Sequence, residues 1–318
     1  MARYLVTGGA GFIGSHIVRA LLERGDQVRV LDDLSSGSLD ALAGLDPGTL
    51  GSGAPLEFVL GDVSDPMDAK RASEGIHGVF HEAALVSVPR SVAEPEESFR
   101  INVQGTFEML RAAHAAGARG FLFASSAAIY GTDERIPKTE EMRPAPASPY
   151  GGDKLTGETM LAVFARCYGL RTVALRYFNV FGPGQSDDSP YSGVIALFAN
   201  AALERRAVTI FGDGGQTRDF VFVADVVRAN LLAMDAVDLP GGGVFNVGTG
   251  TSVSILDLHR EIGEVAGEVV EPEFGPTRAG DVRHSAADIS AIGTALGFVP
   301  TTPRREGIAR TLDWYRER

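Results

Sequence analysis

Through the first 180 residues, short apolar runs alternate with longer stretches whose apolar positions recur at helical spacing. The first run, Tyr4-Leu5-Val6-Thr7, leads into glycines spaced Gly8-x-x-Gly11-x-x-Gly14. Ile13, Ile17, Val18, Leu21 and Leu22 then share one face of a helix that Gly25 stops. A second run, Gln27 to Leu31, ends at Asp32. The same pattern predicts strands at Leu56–Gly61, Gly78–Ala83, Gly120–Ser125 and Thr172–Val180, and helices over about 96–117 and 149–169. Such alternation builds βαβ units and a parallel sheet covered on both faces. Leu34 to Pro55, rich in Ser, Gly and Pro, is the least regular part and reads as a surface excursion. After Asn179 the alternation stops, with Pro183 and Gly184 opening a loop.

The fold class expected is therefore α/β, a Rossmann-type doubly wound parallel sheet with a smaller C-terminal α+β substrate domain. Residues 1–178 form the first domain and 179–318 mainly the second. Segments near 220–248, Val244-Phe245-Asn246-Val247-Gly248 among them, return to the first.

Composition narrows the partners. A net charge of −12 argues against a nucleic-acid or anionic-membrane surface, but leaves room for a small anion held by local arginines. The one cysteine, Cys167, cannot form an internal disulfide and is expected to be a small buried hydrophobe. No run approaches transmembrane length and no signal peptide precedes the first strand, so a cytoplasmic location is expected. The six histidines show no metal-ligand spacing, and His81 at a strand end reads as a structural hydrogen-bonder.

The glycine turn carries the first chemistry. Glycines let backbone approach a pyrophosphate, while free N–H groups and the dipole at the helix start face its charge. Asp32, ending the second strand, is placed to accept from an adenosine ribose, which favours NAD and repels the 2′-phosphate of NADP. The second chemistry is Tyr150-Gly151-Gly152-Asp153-Lys154, where positions four apart share a helix face. An ammonium and a positive nicotinamide ring beside the phenol are expected to lower its pKa toward neutrality. Upstream, the strand Phe123-Ala124-Ser125-Ser126 puts Ser126 at the C-terminal sheet edge, where it either relays a proton or caps the next turn.

These motifs, with Gly61-Asp62-Val63, His81-Glu82-Ala83-Ala84, Ser125 to Gly131 and Arg176 to Gly182, resemble the extended short-chain dehydrogenase/reductase superfamily. More narrowly they resemble its NAD-dependent UDP-galactose 4-epimerase type, over essentially the whole chain. The resemblance implies catalysis by Tyr150, Lys154 and Ser126. It implies NAD contacts at Gly8, Gly11, Phe12, Ile13, Gly14, Asp32, Asp33, Ser36 and Gly37, and at Asp62 and Val63 on the adenine. Ala83, Ala84, Asn102, Ser125, Tyr150, Lys154 and Tyr177 would complete the cofactor site. For the UDP-sugar it implies Ser87, Ser126, Tyr150, Asn179, Val194, Arg218, Arg278, Asp281 and Ser285, with Phe211 packing on uracil. Paired guanidiniums suit a diphosphate. The family is commonly dimeric through two helices, here 96–117 and 149–169, so a homodimer is expected.

Reaction class turns on the two residues after Ser126. The superfamily's 4,6-dehydratases and decarboxylases carry an acidic residue there, and its C3/C5 epimerases a cysteine; this chain has Ala127 and Ala128. That leaves oxidation and re-reduction at one carbinol, inverting C4 through a transient 4-keto sugar. Ser285, four places after Asp281, is small where a large aromatic would exclude an N-acetyl group. UDP-GlcNAc and UDP-GalNAc are therefore expected beside UDP-glucose and UDP-galactose. Epimerisation of another UDP-sugar (glucuronate or a pentose), net dehydrogenation with cofactor exchange, and a non-catalytic NAD or nucleotide-sugar binder stay open as alternatives.

Overall fold

The computed structural model describes residues 2–186, 193–236, 243–277 and 282–318. The chain begins β1 (Arg3–Thr7), α1 (Phe12–Glu23), β2 (Gln27–Asp32), β3 (Gly48–Thr49), β4 (Leu56–Leu60), α2 (Pro66–Ser73) and β5 (Gly78–His81). It continues α3 (Val88–Ala93), α4 (Pro95–Phe99), α5 (Gly105–Ala115), β6 (Gly120–Ser126), α6 (Pro149–Tyr168) and β7 (Thr172–Tyr177). Beyond lie β8 (Asn179–Phe181), α7 (Val194–Leu203), β9 (Thr209–Phe211), β10 (Thr217–Arg218), β11 (Phe220–Phe222), α8 (Val223–Asp235) and β12 (Gly243–Val247). The last elements are β13 (Val253–Ser254), α9 (Ile255–Ala266), β14 (Glu273–Gly275), α10 (Ser290–Leu296) and α11 (Arg304–Glu317). No described helix is long and apolar enough to cross a membrane.

The chain divides into two compact units. The first comprises residues 1–129, 148–176 and 227–245. Its sheet runs β12-β7-β6-β5-β1-β2-β4-β3, the doubly wound order in which the chain reverses direction beside β1. The pairs from β3 to β6 are parallel, with Thr7 opposite Leu31 on one side and His81 on the other. Buried strands with helices on both faces need apolar side chains on both, and Leu5, Val6, Val30, Leu31, Val79 and Phe80 are all at 0% exposure. Leu5, Leu31, Val79, Phe121 and Phe123 form one core with Leu110 of α5 and Leu161 of α6. Each such side chain contributes roughly 1.5–3 kcal/mol. Ile17, Val18 and Leu21 of α1 are buried in the same way.

The second unit comprises residues 130–147, 177–226 and 246–318. Three two-stranded pieces, β8 with β11, β9 with β14 and β10 with β13, sit with the mutually packed helices α7, α9 and α11. Segment 130–147 falls here, although the sequence placed it in the first domain. The reason is pairing: Lys138 N donates to Ala286 O at 2.8 Å, and Tyr130 Oη donates to Asn246 Oδ1 at 2.7 Å.

Three local expectations change. The helix predicted over 96–117 contains a π-turn at Arg100–Gln104 between α4 and α5. The strand predicted as Thr172–Val180 is two strands, since Asn179 leaves the main sheet to pair with Phe220. Cys167 is exposed, not buried, because the last turn of α6 (Arg166 to Tyr168) lies clear of the core.

Candidate active site

The turn after β1 is shaped to receive a dinucleotide. Gly8 has φ +67°, and a Cβ there would stand 2.7 Å from Ala83 N. At Gly14 a Cβ would stand 2.2 Å from Gly8 O, so glycine alone lets α1 begin against the turn. Gly11 caps α1 without a side-chain hydrogen bond, and no acidic residue occupies the first turn. The helix dipole and first-turn amides are thus open to an anion. These residues fit NAD: Gly8, Gly11 and Gly14 leave room for a pyrophosphate, with Phe12 and Ile13 half-buried beside them.

Asp32 is buried, and its carboxylate accepts Ala10 N and Leu34 N, each at 2.9 Å. Burial raises its pKa, with those two amides pulling the other way. One lone pair on each oxygen is left for a ribose hydroxyl. Asp33 and Ser36 are exposed and Gly37 is half-buried in the following loop. Asp62 accepts Ser64 N and Oγ at 2.8 Å and pairs with Arg100, while Val63 is buried nearby.

The candidate acid/base residues stand on β6 and α6. Ser148 caps α6 through Gly151 N at 3.2 Å and Pro149 sets its first turn, so Tyr150 and Lys154 fall one turn apart near the helix start. Gly157 brings α6 close to β6, since a Cβ there would lie 2.5 Å from the Phe123 ring. Lys154 Nζ consequently sits 4.8 Å from the centroid of that ring and 5.8 Å from that of Tyr150. The Ser126 hydroxyl acts on the Tyr150 phenol in the direction that favours the phenolate. Its Oγ accepts Ala128 N at 3.1 Å, the cap the sequence allowed, and the hydroxyl proton remains to donate.

The protein's own electrostatics work against the phenolate. Burial pushes the Tyr150 phenol up to about 12, against the Ser126 hydrogen bond and with help from Glu82. Lys154 is pushed down by burial to about 8, with Glu82 and Asp153 favouring its charge. The protein's own groups thus hold the phenol above its ordinary value, because desolvation of the phenolate is the largest influence on it. His81 is held by Thr7 Oγ1 at 2.8 Å and Thr106 Oγ1 at 3.1 Å. Burial, with Lys154 nearby, lowers its pKa to about 3, so it is neutral.

Ala83 and Ala84 follow β5, half-buried, with Ala83 N donating to Thr7 Oγ1 at 3.3 Å. Asn102, on the π-turn, is buried; its Oδ1 accepts Leu85 N at 2.9 Å and its Nδ2 donates to Leu85 O at 3.1 Å. It therefore clamps the loop after β5. Ser125 is also buried, donating to Glu158 Oε1 at 2.5 Å; Arg176 holds both Glu158 oxygens at 2.9 and 2.8 Å. Ser87 caps α3 through Arg90 N at 3.2 Å. Tyr177, ending β7, is buried.

The remaining expected substrate residues belong to the second unit. Asn179 Nδ2 donates to Asp219 O at 3.1 Å, and Arg218 Nη1 donates to Thr217 O at 2.9 Å. Ser285 N donates to Thr217 O at 3.1 Å, which fixes its backbone beside β10. Val194 opens α7. Arg278 and Asp281 lie outside the described residues. Phe211 lines a cavity of about 400 Å³ with Gln216, Phe274, Thr277 and the Asp213–Arg283 ion pair.

Sequence reasoning missed Phe274 and Gln216, which carry no motif of their own. It also passed over Asp219, fully buried, which accepts Thr249 N, Thr249 Oγ1, Gly250 N and Ala287 N at 2.7–3.1 Å. That carboxylate ties the Arg218 strand to two loops. A buried acid directly after Arg218 was the available signal.

A dinucleotide turn and a Ser-Tyr-Lys group at the C-terminal edge of a doubly wound sheet define a nucleotide-dependent oxidoreductase-type fold. The chain belongs to the NAD dependent epimerase/dehydratase family, whose model matches residues 4–248. It is 41% identical to a UDP-glucose 4-epimerase of Mycolicibacterium smegmatis over 318 residues, covering 99% of each chain. Among solved structures it is similar to a UDP-N-acetylglucosamine 4-epimerase of Methanobrevibacter ruminantium in complex with UDP-N-acetylmuramic acid. There the TM-score is 0.93 and the identity 37%, with 99% of this chain and 98% of that one covered. It is also similar to a Thermotoga maritima UDP-glucose 4-epimerase with UDP-glucose, at TM-score 0.91 and 39% identity, covering 99% of both.

Proposed function

We propose that this protein is an NAD-dependent UDP-hexose 4-epimerase, an isomerase that interconverts UDP-glucose with UDP-galactose and UDP-GlcNAc with UDP-GalNAc. The observation that carries the reading is the Ser126–Tyr150–Lys154 group followed by Ala127 and Ala128, which offer no second acid or base. Chemistry beyond a single carbinol would need one. The glycine turn and Asp32 would hold NAD, which would supply reversible hydride acceptance at the sugar carbinol. Tyr150, directly or through Ser126, takes the proton of the C4 hydroxyl and gives it back on re-reduction. Lys154 keeps positive charge beside the phenol oxygen and reaches the nicotinamide ribose. Asn179, Arg218, Arg278 and Asp281 hold the UDP while the 4-keto sugar turns to present its other face.

The test is a panel of UDP-glucose, UDP-GlcNAc, UDP-glucuronate and UDP-arabinose assayed for C4 inversion. Inversion of the first two, without stoichiometric NADH release, is the expected result. Inversion of only the acid or the pentose would move the assignment to another UDP-sugar. Binding of NAD and UDP-sugar with no turnover would make the protein a sensor.

A homodimer through the 96–117 and 149–169 helices is part of the same reading. In its favour, Phe99, Phe107, Val163 and Tyr168 are each 43–57% exposed on these helices, an apolar face suited to a partner. Sedimentation equilibrium should return twice the 33.6 kDa chain mass, and a monomer mass would remove this reading.

A further inference from the structure

One buried carboxylate beside the acid/base pair has no part in the proton and hydride steps of the epimerisation. Asp153 precedes Lys154 on α6 and is only 8% exposed. Its Oδ2 accepts the Ser98 hydroxyl at 2.6 Å and Asn102 Nδ2 at 3.3 Å. Ser98 lies on α4, and Asn102 sits on the π-turn, where it also clamps Leu85. A π-turn inserts an extra residue into the helical repeat and shifts the side chains after it, and such turns are frequent at functional sites. Ser98 and Asn102, four residues apart and so on one helix face, converge on one oxygen. Asp153 is therefore the point where the loop after β5, the α4–α5 helix and the first turns of α6 are joined.

We propose that Asp153 is a positioning residue for Tyr150 and Lys154: held by Ser98 and Asn102, it fixes the reactive turn of α6 and keeps an anion next to the Lys154 ammonium. This rests on the reading of Tyr150 and Lys154 as the acid/base pair. The other groups around Lys154 do not duplicate the role. Phe123 on β6 offers a ring face and His81 on β5 is neutral. Tyr150 is a protonated phenol, and Glu158, one turn along α6, is engaged by Arg176 and Ser125. Among the described residues, Glu82, after β5, and Asp153 favour the charged amine.

Two variants separate charge from bracing. Asp153→Asn keeps the shape and removes the anion; Ser98→Ala keeps the anion and removes the shortest tie. Three readouts apply to each: kcat, hydrogen exchange of amides 150–155, and the pH midpoint of Lys154 acylation by acetic anhydride, followed by peptide mass spectrometry. Loss of a nearby anion disfavours the ammonium, so Asp153→Asn should lower the acylation midpoint by about half to one pH unit. A displaced reactive turn should cost about tenfold in kcat in the same variant. Ser98→Ala should speed exchange and lower kcat several-fold with the midpoint unmoved. An unmoved midpoint in Asp153→Asn would leave Asp153 a structural brace and overturn the proposal. If Asp153→Asn does not fold, Ser98→Ala decides: wild-type exchange and wild-type kcat would overturn it. Exchange and acylation need no turnover, so an inactive wild type would defeat the epimerase reading without touching this one.

Discussion

Tyr150→Phe should remain folded and keep its NAD and UDP binding, yet lose turnover by about 10²–10⁴ or more, as removal of a positioned acid/base does. The stability cost should be small. The substitution removes one hydroxyl, and the buried ring stays in place. The size of the rate loss reflects the environment. With its pKa pushed up to about 12, the phenol is an acid kept protonated by burial and by Glu82. At pH 7 the protein's own groups leave roughly one phenol in 10⁵ ionised. Ala127 and Ala128 offer no acid or base in its place, and His81 is buried and neutral. Circular dichroism, released NAD and a coupled epimerase assay check the three parts. An unchanged rate in a folded variant would remove Tyr150 from the base role.

Ser285→Tyr should abolish the N-acetyl activity by about 10²-fold or more and leave UDP-glucose/UDP-galactose conversion within a few-fold of wild type. The backbone at this position is fixed: Ser285 N bonds to Thr217 O, and its neighbour His284 has Nδ1 3.0 Å from Thr217 Oγ1. Added side-chain volume thus cannot be relieved by moving the strip and must project from it. Overpacking a site that the strip cannot vacate is selective by shape, since only the bulkier substrate meets the added ring. Parallel assays on UDP-glucose and UDP-GlcNAc decide the matter. Equal loss of both activities, or loss of neither, would show that Ser285 does not border the sugar.

Local pattern determined much of this protein. The Gly8-Gly11-Gly14 spacing, the strand ending in Asp32 and the one-turn spacing of Tyr150 and Lys154 are demands of backbone geometry within a few residues, so sequence alone exposes them. Alternating apolar runs likewise specify a doubly wound sheet, because a buried parallel strand and a one-faced helix require different periods. Tertiary structure decided what depends on partners distant in the chain. It put segment 130–147 with residues 246–288, through Tyr130 and Lys138, where the sequence offered only proximity to β6. It introduced the π-turn at Arg100–Gln104 and set Ser98 and Asn102 against Asp153, more than 50 residues away. It left Cys167 in solvent, since periodicity assigns a helix face but not where that face outruns the core. It also set the burial that raises the Tyr150 pKa, an effect apart from the joint charge of the lysine and a nicotinamide ring to which the spacing points. Sequence spacing reveals which charges are near, whereas desolvation depends on how much water the whole fold excludes, and here the second effect is larger.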